Sequence, residues 1–308
     1  MPELPGKLSI FSPAKVNLHL KVKNKRSDGF HDLESVFLAV NFGDNLDFQP
    51  IDTKNAIEIK CSSGESAKTQ SFNKLNIENN IIYKAVSFFR EKTNFSQGLK
   101  IKLEKYIPVG GGLGGGSSNA AVTLLTLNKM AGYPLNREAL LEAAATLGSD
   151  VPFFIYETPA AFVTGRGEII EPIEAPDLHI VLVNPGFSSS TATAFKLLDE
   201  YRSGRFHTEA QRHGAIISNL FSVSSVSPCL RVMDFCNDFL KVFPEKEKSI
   251  YNNIISQLIE NGAQYANLSG AGSTCFGVFE NKQQAQKAAD FMQNKWGFVQ
   301  LCRKIDLV

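Results

Sequence analysis

Hydrophobic and polar residues alternate along the first part of the chain. In residues 8–22 every second side chain from Val16 to Val22 is apolar, which is the pattern of a β-strand with one buried face. The opposite face of this strand carries Lys15, Asn17, His19 and Lys21. The same period predicts further strands near residues 34–41, 45–49, 56–60 and 99–105. The segment Phe42-Gly43-Asp44-Asn45 has the composition of a turn, so we expect a hairpin there.

Helical and strand patterns alternate through the rest of the chain. We expect helices at 79–92, 119–130, 137–147, 246–261 and 281–294, and a long polar surface loop at 61–79. Strands are expected in a hairpin at 160–173 and at 178–183, 264–268, 274–279 and 298–303. The order lacks the regular repeat of a doubly wound sheet. It predicts an α+β fold with two domains, residues 1–165 and 166–308.

Composition excludes several classes of protein. The 308 residues carry 32 basic and 31 acidic side chains, so a net charge of +1 gives no general attraction to nucleic acid or membrane. The chain has no apolar run near the length of a membrane span and no secretory signal pattern. Its five cysteines are widely spaced, which argues against a disulfide framework or a zinc finger. We expect a cytoplasmic protein that is a monomer or a weak homodimer.

A run of six glycines carries the strongest chemical signal. Residues 108–118 (PVGGGLGGGSS) lie between an apolar strand and an apolar helix. A glycine loop that leads into a helix N-terminus is a ready anion site, and the usual anion is phosphate. A P-loop is disfavoured because Ser117 stands where that motif requires lysine. A dinucleotide-binding fold is disfavoured because no acidic residue follows at the required spacing.

This run resembles the phosphate-binding motif of the GHMP kinase superfamily. Residues 12–18 (SPAKVNL) and 268–273 (LSGAGS) are similar to the N-terminal and C-terminal motifs of that family, in the same order. The resemblance implies the two-domain GHMP kinase fold. Its N-terminal domain is similar to domain 2 of ribosomal protein S5, and its C-terminal domain is a ferredoxin-like α/β sandwich. The first would bind ATP and the second would contribute to substrate binding.

Further segments are similar to one kinase of the superfamily. Residues 26–33 (RSDGFHDL) and 148–152 (GSDVP) resemble its motifs, although Phe30 stands where tyrosine is commoner. That resemblance implies transfer of phosphate from ATP to the 2-hydroxyl of a methylerythritol that carries a cytidine diphosphate, in the non-mevalonate route to isoprenoids. The partner would then be a small molecule, not nucleic acid or membrane.

The resemblance also implies roles for individual residues. Asp150 would be the catalytic base and Lys15 its partner, although a helix N-cap and a solvated strand lysine are the alternatives. ATP would be bound by Pro108, Val109, Gly110, Gly111, Gly112, Leu113, Gly114, Gly115, Gly116, Ser117 and Ser118, with Asn80 and Lys105 near the adenine. Substrate would be bound by Asn17, Phe30, His31, Thr191, Ser269, Gly270, Ala271 and Gly272.

Several of these assignments have structural alternatives. Thr191 could instead be a helix N-cap, and residues 269–272 could be only a tight turn. Ser117 and Ser118 could cap the following helix or donate hydroxyls to a phosphate. Mg²⁺ follows from the chemistry of phosphoryl transfer, without an assigned protein ligand.

Two other functions remain open at this point. The first is another small-molecule kinase of the superfamily, such as a homoserine or mevalonate kinase, against which the Phe30-His31 pair argues. The second is a nucleotide-binding sensor that has lost catalysis, against which the presence of both Lys15 and Asp150 argues.

Overall fold

The computed structural model describes residues 6–64, 80–204 and 235–306, and the fold is α+β as predicted. The chain forms two compact units that are each assembled from separate stretches. The first unit comprises Met1–Ala14, Gly43–Val109 and Gly114–Glu157, and the second comprises Lys15–Phe42, Gly110–Leu113 and Thr158–Val308. No single cut of the chain separates these units, and the expected boundary at 165/166 stays a prediction.

The first unit combines a small sheet with a helical layer. Two long strands, β1 (Leu8–Lys25) and β2 (His31–Ile51), contribute residues to both units. In the first unit, β2 pairs antiparallel with β4 (Gly98–Lys105), and β3 (Ile57–Ser63) pairs parallel with the same β4. The helical layer consists of α1 (Ile81–Thr93), α2 (Gly115–Met130), α3 (Arg137–Leu147) and α4 (Val151–Ile155). Helix α2 packs against the other three helices, which explains why it is buried on most sides.

The second unit contains an antiparallel sheet of four strands. Its order is β10 (Phe298–Arg303), β7 (His179–Asn184), β9 (Cys275–Phe279) and β8 (Tyr265–Leu268). Helices α6 (Glu245–Glu260) and α7 (Lys282–Gln293) pack against this sheet. A hairpin of β5 (Ala160–Thr164) and β6 (Ile169–Pro172) pairs through β5 with residues 35–38 of β2. Among the described residues, the unit also contains helix α5 (Thr191–Arg202) and a short 3₁₀ turn at Asp238–Lys241.

The expected hairpin at residues 42–45 is wrong, because β2 runs through this segment without a turn. Gly43 is required here by space and not by a turn: a Cβ atom on Gly43 would lie 2.2 Å from the carbonyl oxygen of Ser12 in β1. The next residue, Asp44, is fully buried. Two residue types that are common in turns therefore have other roles here. Gly43 lets β1 and β2 approach closely, and Asp44 is a buried charge.

The expected start of the second helix and the expected surface loop also need correction. Helix α2 begins at Gly115 and not near residue 119, so Ser117 and Ser118 lie inside its first turn. Residues 61–63 of the expected loop at 61–79 belong to β3, and residues 65–79 lie outside the described residues. Among the described helices, none combines the length and the apolar character that crossing a membrane requires.

Replacement of Gly43 by alanine tests the close approach of β1 and β2. Because the added methyl group would overlap the Ser12 carbonyl, we expect Gly43→Ala to lower the free energy of unfolding by about 1–3 kcal/mol. Gly297→Ala is the matched control, since a Cβ at Gly297 would have no atom within 4 Å. Denaturant melts of both variants give the comparison. Equal stability of the two variants would show that β1 and β2 are not in close contact at this point.

Candidate active site

Within the second unit, four consecutive backbone carbonyls of the glycine-rich loop, those of residues 110–113, each accept a hydrogen bond. The Gly110 carbonyl accepts from the N–H groups of Ser189 and Ser273, at 2.9 and 3.3 Å, and the Gly111 carbonyl accepts from the N–H of Thr274 at 3.1 Å. The hydroxyl of Ser269 donates to the Gly112 carbonyl at 2.9 Å. The backbone N–H of Lys15 donates to the Leu113 carbonyl at 3.0 Å. Four consecutive carbonyls are therefore fixed in direction.

The N–H groups of the same peptides point the other way. In a trans peptide the N–H is antiparallel to the carbonyl, and the peptides that join residues 110–114 are trans. In the described part of the chain, the N–H groups of residues 111–114 donate no hydrogen bond. This arrangement gives a row of N–H donors, which is the chemistry that binds phosphate oxygens.

Residues 269–272 form a turn that contacts the glycine-rich loop. A Cβ on Gly112, where φ is +74°, would lie 2.1 Å from the Ser269 carbonyl oxygen, so only glycine fits. The Ser269 hydroxyl also accepts from the backbone N–H of Asn17 at 3.2 Å. The turn is thus hydrogen-bonded to both the glycine-rich loop and β1. A turn that only connected two strands would not need these contacts.

The first turn of α2 lies in the first unit and has no side-chain cap. Its N-cap is Gly114, with φ of +68°, and no side chain accepts from the free N–H groups of the helix start. Neither serine caps the helix, because the cap lies before them. Ser118 is buried and its hydroxyl accepts from that of Ser12 at 2.7 Å, whereas Ser117 is half-buried. The uncapped start of a long helix favours an anion.

Asp44 anchors the chain on both sides of the glycine-rich loop. One carboxylate oxygen accepts from the backbone N–H groups of Tyr106 and Ile107 at 2.8 and 2.9 Å. The other accepts from the Lys105 ammonium at 2.6 Å and from the Asn119 amide at 3.0 Å. Because Tyr106 and Ile107 precede the loop and Asn119 lies in α2 after it, this one carboxylate joins the two flanking elements.

Lys105 and Asn80, expected near the adenine of ATP, both have structural partners. Lys105 is buried against Asp44, and burial lowers the pKa of its ammonium group although Asp44 opposes that shift. Asn80 is the N-cap of α1, and its side chain accepts from the Ile82 N–H at 2.9 Å. Their ATP contacts stay predictions.

Three of the four residues on the polar face of β1 are buried, which the alternating pattern did not indicate; the fourth, Lys21, is exposed. Lys15, Asn17 and His19 are 3%, 3% and 2% exposed, so Lys15 is not a solvated strand lysine. The Lys15 ammonium donates to the Asn17 side-chain oxygen at 2.5 Å and lies 4.3 Å from the centre of the Phe37 ring. The Asn17 amide in turn donates to the Ser35 hydroxyl at 2.9 Å. Asn17 therefore positions the lysine.

His19 is a neutral member of the same face. Its Nδ1 accepts from the backbone N–H of Cys236 at 3.1 Å, which places the ring proton on Nε2. Burial lowers the pKa of His19 to about 4. Lysine is thus the cationic member of the buried row formed by Lys15, Asn17 and His19.

Asp150 lies in the first unit, directly before α4. It occupies the N-cap position of that helix, but its side chain makes no capping hydrogen bond. The structural alternative for Asp150, a helix cap, therefore lacks the bond that would define it.

Phe30 and His31, the expected cytosine pair, differ sharply in exposure. Phe30 is 50% exposed, and the guanidinium of Arg166 lies 4.8 Å from its ring centre. His31 is 6% exposed, and its Nε2 lies 2.7 Å from a carboxylate oxygen of Asp199. The His31 ring also stacks on Phe195, with centroids 5.1 Å apart. An aromatic face is available on Phe30, whereas one nitrogen of His31 is already engaged.

Thr191 is exposed at the start of α5, and its alternative role as N-cap is wrong. The cap is Ser190, whose hydroxyl accepts from the Thr193 N–H at 3.3 Å.

The sequence pattern did not identify two carboxylates that bind predicted site residues. Asp44 binds Lys105, and Asp199 binds His31. The signal available for Asp44 was a lone carboxylate inside an apolar strand pattern. We find none for Asp199, which lies on an ordinary amphipathic helix.

The described residues offer no protein cage for a metal. Within residues 6–64, 80–204 and 235–306, no three His, Cys, Asp or Glu side chains are grouped closely enough to hold an ion.

Comparison with known proteins agrees with this geometry. The model of the GHMP kinase N-terminal domain matches residues 80–158, and that of the C-terminal domain matches residues 233–297. The 4-diphosphocytidyl-2-C-methyl-D-erythritol kinase of Thermodesulfovibrio yellowstonii is 37% identical, over 92% of this chain and 93% of its own. The chain belongs to the 4-diphosphocytidyl-2-C-methyl-D-erythritol kinase family of GHMP kinases.

Other relatives support the same assignment. The kinase of the same name from Chlorobium phaeobacteroides is 36% identical, over 93% of this chain and 94% of its own. A crystal structure of 4-(cytidine 5'-diphospho)-2C-methyl-D-erythritol kinase has a TM-score of 0.74 at 27% identity, and covers 96% of this chain and 98% of that one. A homoserine kinase from Cytophaga hutchinsonii has a TM-score of 0.66 at 16% identity, covering 99% and 96% of the two chains, which shows the GHMP fold alone.

Removal of the Asp44 carboxylate tests the anchor of the glycine-rich loop. Asp44→Ala would leave the Lys105 ammonium buried without its partner, so we expect the free energy of unfolding to fall by about 3–5 kcal/mol. Asp47→Ala is the control on the same strand, because Asp47 pairs with the exposed Lys7 and its loss should cost about 1 kcal/mol or less. Urea melts with unchanged slope measure both. A loss at Asp44 no larger than at Asp47 contradicts the anchor.

Proposed function

We propose that the protein transfers the γ-phosphoryl group of ATP to the 2-hydroxyl of 4-diphosphocytidyl-2-C-methyl-D-erythritol. The products are ADP and the 2-phosphate ester, and the reaction belongs to the non-mevalonate route to isoprenoid precursors. The observation that carries the proposal is the row of N–H donors at residues 111–114, within a chain whose relatives are kinases of this name. Successive backbone N–H groups of this kind are the chemistry that anion-binding loops use.

The phosphates of ATP are held by backbone groups. Both the N–H groups of residues 111–114 and those of the first turn of α2 suit negatively charged oxygens, because glycine lets phosphate approach the backbone closely. Pro108 and Val109 lead into this loop, and the half-exposed Val109 adds apolar surface at its entrance. A Mg²⁺ ion bound with ATP would supply positive charge that neutralises the β- and γ-phosphates.

Asp150 accepts the proton of the substrate hydroxyl. As that oxygen forms its bond to the γ-phosphorus, the bond from the γ-phosphorus to the bridging oxygen breaks and ADP leaves with the electron pair. The transfer is direct and in line, without a phospho-enzyme. This role rests on the resemblance of residues 148–152 to the kinase motif, within the segment that the GHMP kinase N-terminal model matches.

Lys15 stabilises the negative charge that develops during transfer. Its ammonium is buried in a pocket of Asn17 and Phe37, where a charge acts more strongly than in water. Asn17 aims this ammonium, and Ser35 aims Asn17.

Phe30 supplies the face on which the cytosine stacks. Half of its surface is exposed, and the Arg166 guanidinium lies over the ring. This cation–π contact does not need the phenolic hydroxyl that a tyrosine would carry. His31, held in place by Asp199 and Phe195, forms a hydrogen bond to the edge of the base. Thr191 and residues 269–272 contact the remainder of the substrate.

The balanced charge of the chain fits a small-molecule enzyme. We propose that it works in the cytoplasm as a monomer or weak homodimer, without a nucleic-acid or membrane partner. The single excess positive charge gives no field that would draw it to a polyanion.

The substrate assignment is tested by ADP release with Mg-ATP. We expect turnover with 4-diphosphocytidyl-2-C-methyl-D-erythritol and none with homoserine or mevalonate. Turnover with one of the other two alcohols would remove the cytidine assignment while keeping the kinase. ATP binding without turnover on any of them would indicate a sensor instead.

Replacement of the proposed base separates catalysis from binding. Asp150→Asn keeps the size of the side chain but removes the proton acceptor, so we expect kcat to fall about 10²–10⁴-fold. ATP binding by calorimetry should stay close to that of the parent protein. Asp47→Asn, on a surface pair with Lys7, controls for loss of a carboxylate. Turnover that survives Asp150→Asn would assign the base elsewhere.

Truncation of Phe30 tests the base platform. Stacking on an aromatic ring contributes about 1–3 kcal/mol per base, so Phe30→Ala should raise the KM of the cytidyl substrate roughly 5- to 150-fold. The KM of ATP should not change, and Phe30→Tyr should retain a KM near that of the parent. An unchanged KM for the cytidyl substrate in the alanine variant would exclude Phe30 from base binding.

A further inference from the structure

A short segment of the second unit, residues 236–238, joins β1 to the C-terminal glycine turn. On one side, the Leu20 N–H donates to the Cys236 carbonyl at 2.7 Å, and the Val22 N–H donates to the Asp238 carboxylate at 2.9 Å. Leu20 and Asn237 are paired as in a parallel bridge. The segment is therefore fixed to the strand that carries Lys15 and Asn17.

On its other side the segment grips the turn through one side chain. The Asn237 amide donates to the Leu268 carbonyl at 2.7 Å and to the Gly270 carbonyl at 2.8 Å, while its oxygen accepts from the Phe239 N–H at 3.0 Å. Asn237 is 5% exposed. Both of its amide hydrogens are thus used on the backbone of the turn, and no other residue type of this size offers two donors and an acceptor in one plane.

The carbonyls that Asn237 holds flank Ser269. Ser269 donates to the Gly112 carbonyl of the glycine-rich loop and accepts from the Asn17 N–H. The position of Ser269 therefore depends on the carbonyls at its two neighbours, Leu268 and Gly270. A change at Asn237 would reach both the loop and β1 through this one serine.

We propose that Asn237 is a positioning residue of the active site: its two amide donors fix the 269–272 turn so that Ser269 holds the glycine-rich loop against β1. The predicted effect on the kinetics rests on the proposed function. The predicted effect on the 269–272 turn rests on the hydrogen bonds alone. Asn237 acts on the loop through the turn, so its loss changes how well the loop is aligned for ATP and for transfer.

Two variants and one matched control test this role. Asn237→Ala removes both donors, and Asn237→Asp replaces them with oxygen that faces two carbonyl oxygens. Asn128→Asp is the control, because Asn128 is also buried, at 4% exposed, and binds the N–H and carbonyl of Leu135, outside the turn. All three should lower the melting temperature, whereas only the variants at Asn237 should lower kcat/KM, by at least tenfold.

The pH profile distinguishes positioning from general damage. Below its pKa, which burial raises, the new carboxyl of Asn237→Asp is neutral and can donate one hydrogen bond to a turn carbonyl. Its kcat/KM relative to the parent should therefore rise as pH falls, and that of Asn237→Ala should not. The charged and titratable neighbours, Asp238 with Lys241 and Arg202, and His19 with Cys236, are common to both variants.

Hydrogen exchange gives a readout that does not depend on the substrate. In the parent protein the Gly272 N–H donates to the Ser269 carbonyl and the Ser269 N–H to the Thr274 carbonyl, each at 2.9 Å. Exchange of these amides should quicken at least tenfold in both Asn237 variants and not in Asn128→Asp. Unchanged exchange, or kinetics no worse than the control, overturns the proposal. If the parent protein shows no turnover, but exchange quickens in the Asn237 variants and not in Asn128→Asp, only the proposed function is refuted.

Discussion

The orientation of the glycine-rich loop depends on hydrogen bonds to its carbonyl groups. Ser189, Ser273, Thr274, Ser269 and Lys15 together fix the carbonyls of residues 110–113. Because peptide geometry sets each N–H opposite its carbonyl, these bonds also set the direction of the donors that would meet phosphate. Glycine makes the close contacts possible, but the order of a flexible loop comes from its partners. The rest of the proposed site follows from where this loop is held.

A second constraint is that the chain buries charge to hold elements together. Asp44 is fully buried and satisfied by four donors, one of them the Lys105 ammonium. Such a carboxylate adds little net stability compared with an apolar core, but it requires its partners to be in place. Lys15 is similarly buried, with Asn17 and Ser35 as its support. Polar groups here specify geometry, which phosphoryl transfer needs more than it needs stability.

The sequence allowed most elements to be predicted, because period and caps are local properties. Asn136 caps α3, and its side chain accepts from the Ala139 N–H at 2.9 Å, a local signal of a helix start. Prediction failed at Gly43, where a residue type typical of turns permits close packing against Ser12. The alternating pattern did not indicate the burial of Lys15 and Asn17, which depends on elements far away in sequence. Asn237 gave no local signal, since its partners at Leu268 and Gly270 are recognisable only in the folded chain.

The central claim is that backbone N–H groups of the glycine-rich loop bind the phosphates of ATP. The most direct measurement is amide NMR of the ¹⁵N-labelled protein during titration with Mg-ADP and then a non-hydrolysable Mg-ATP analogue. The account predicts large downfield shifts at residues 111–114, with further change when the γ-phosphate is present, and little movement at Gly165 or Gly297. Saturable binding that leaves the amides of residues 111–114 unmoved would contradict it.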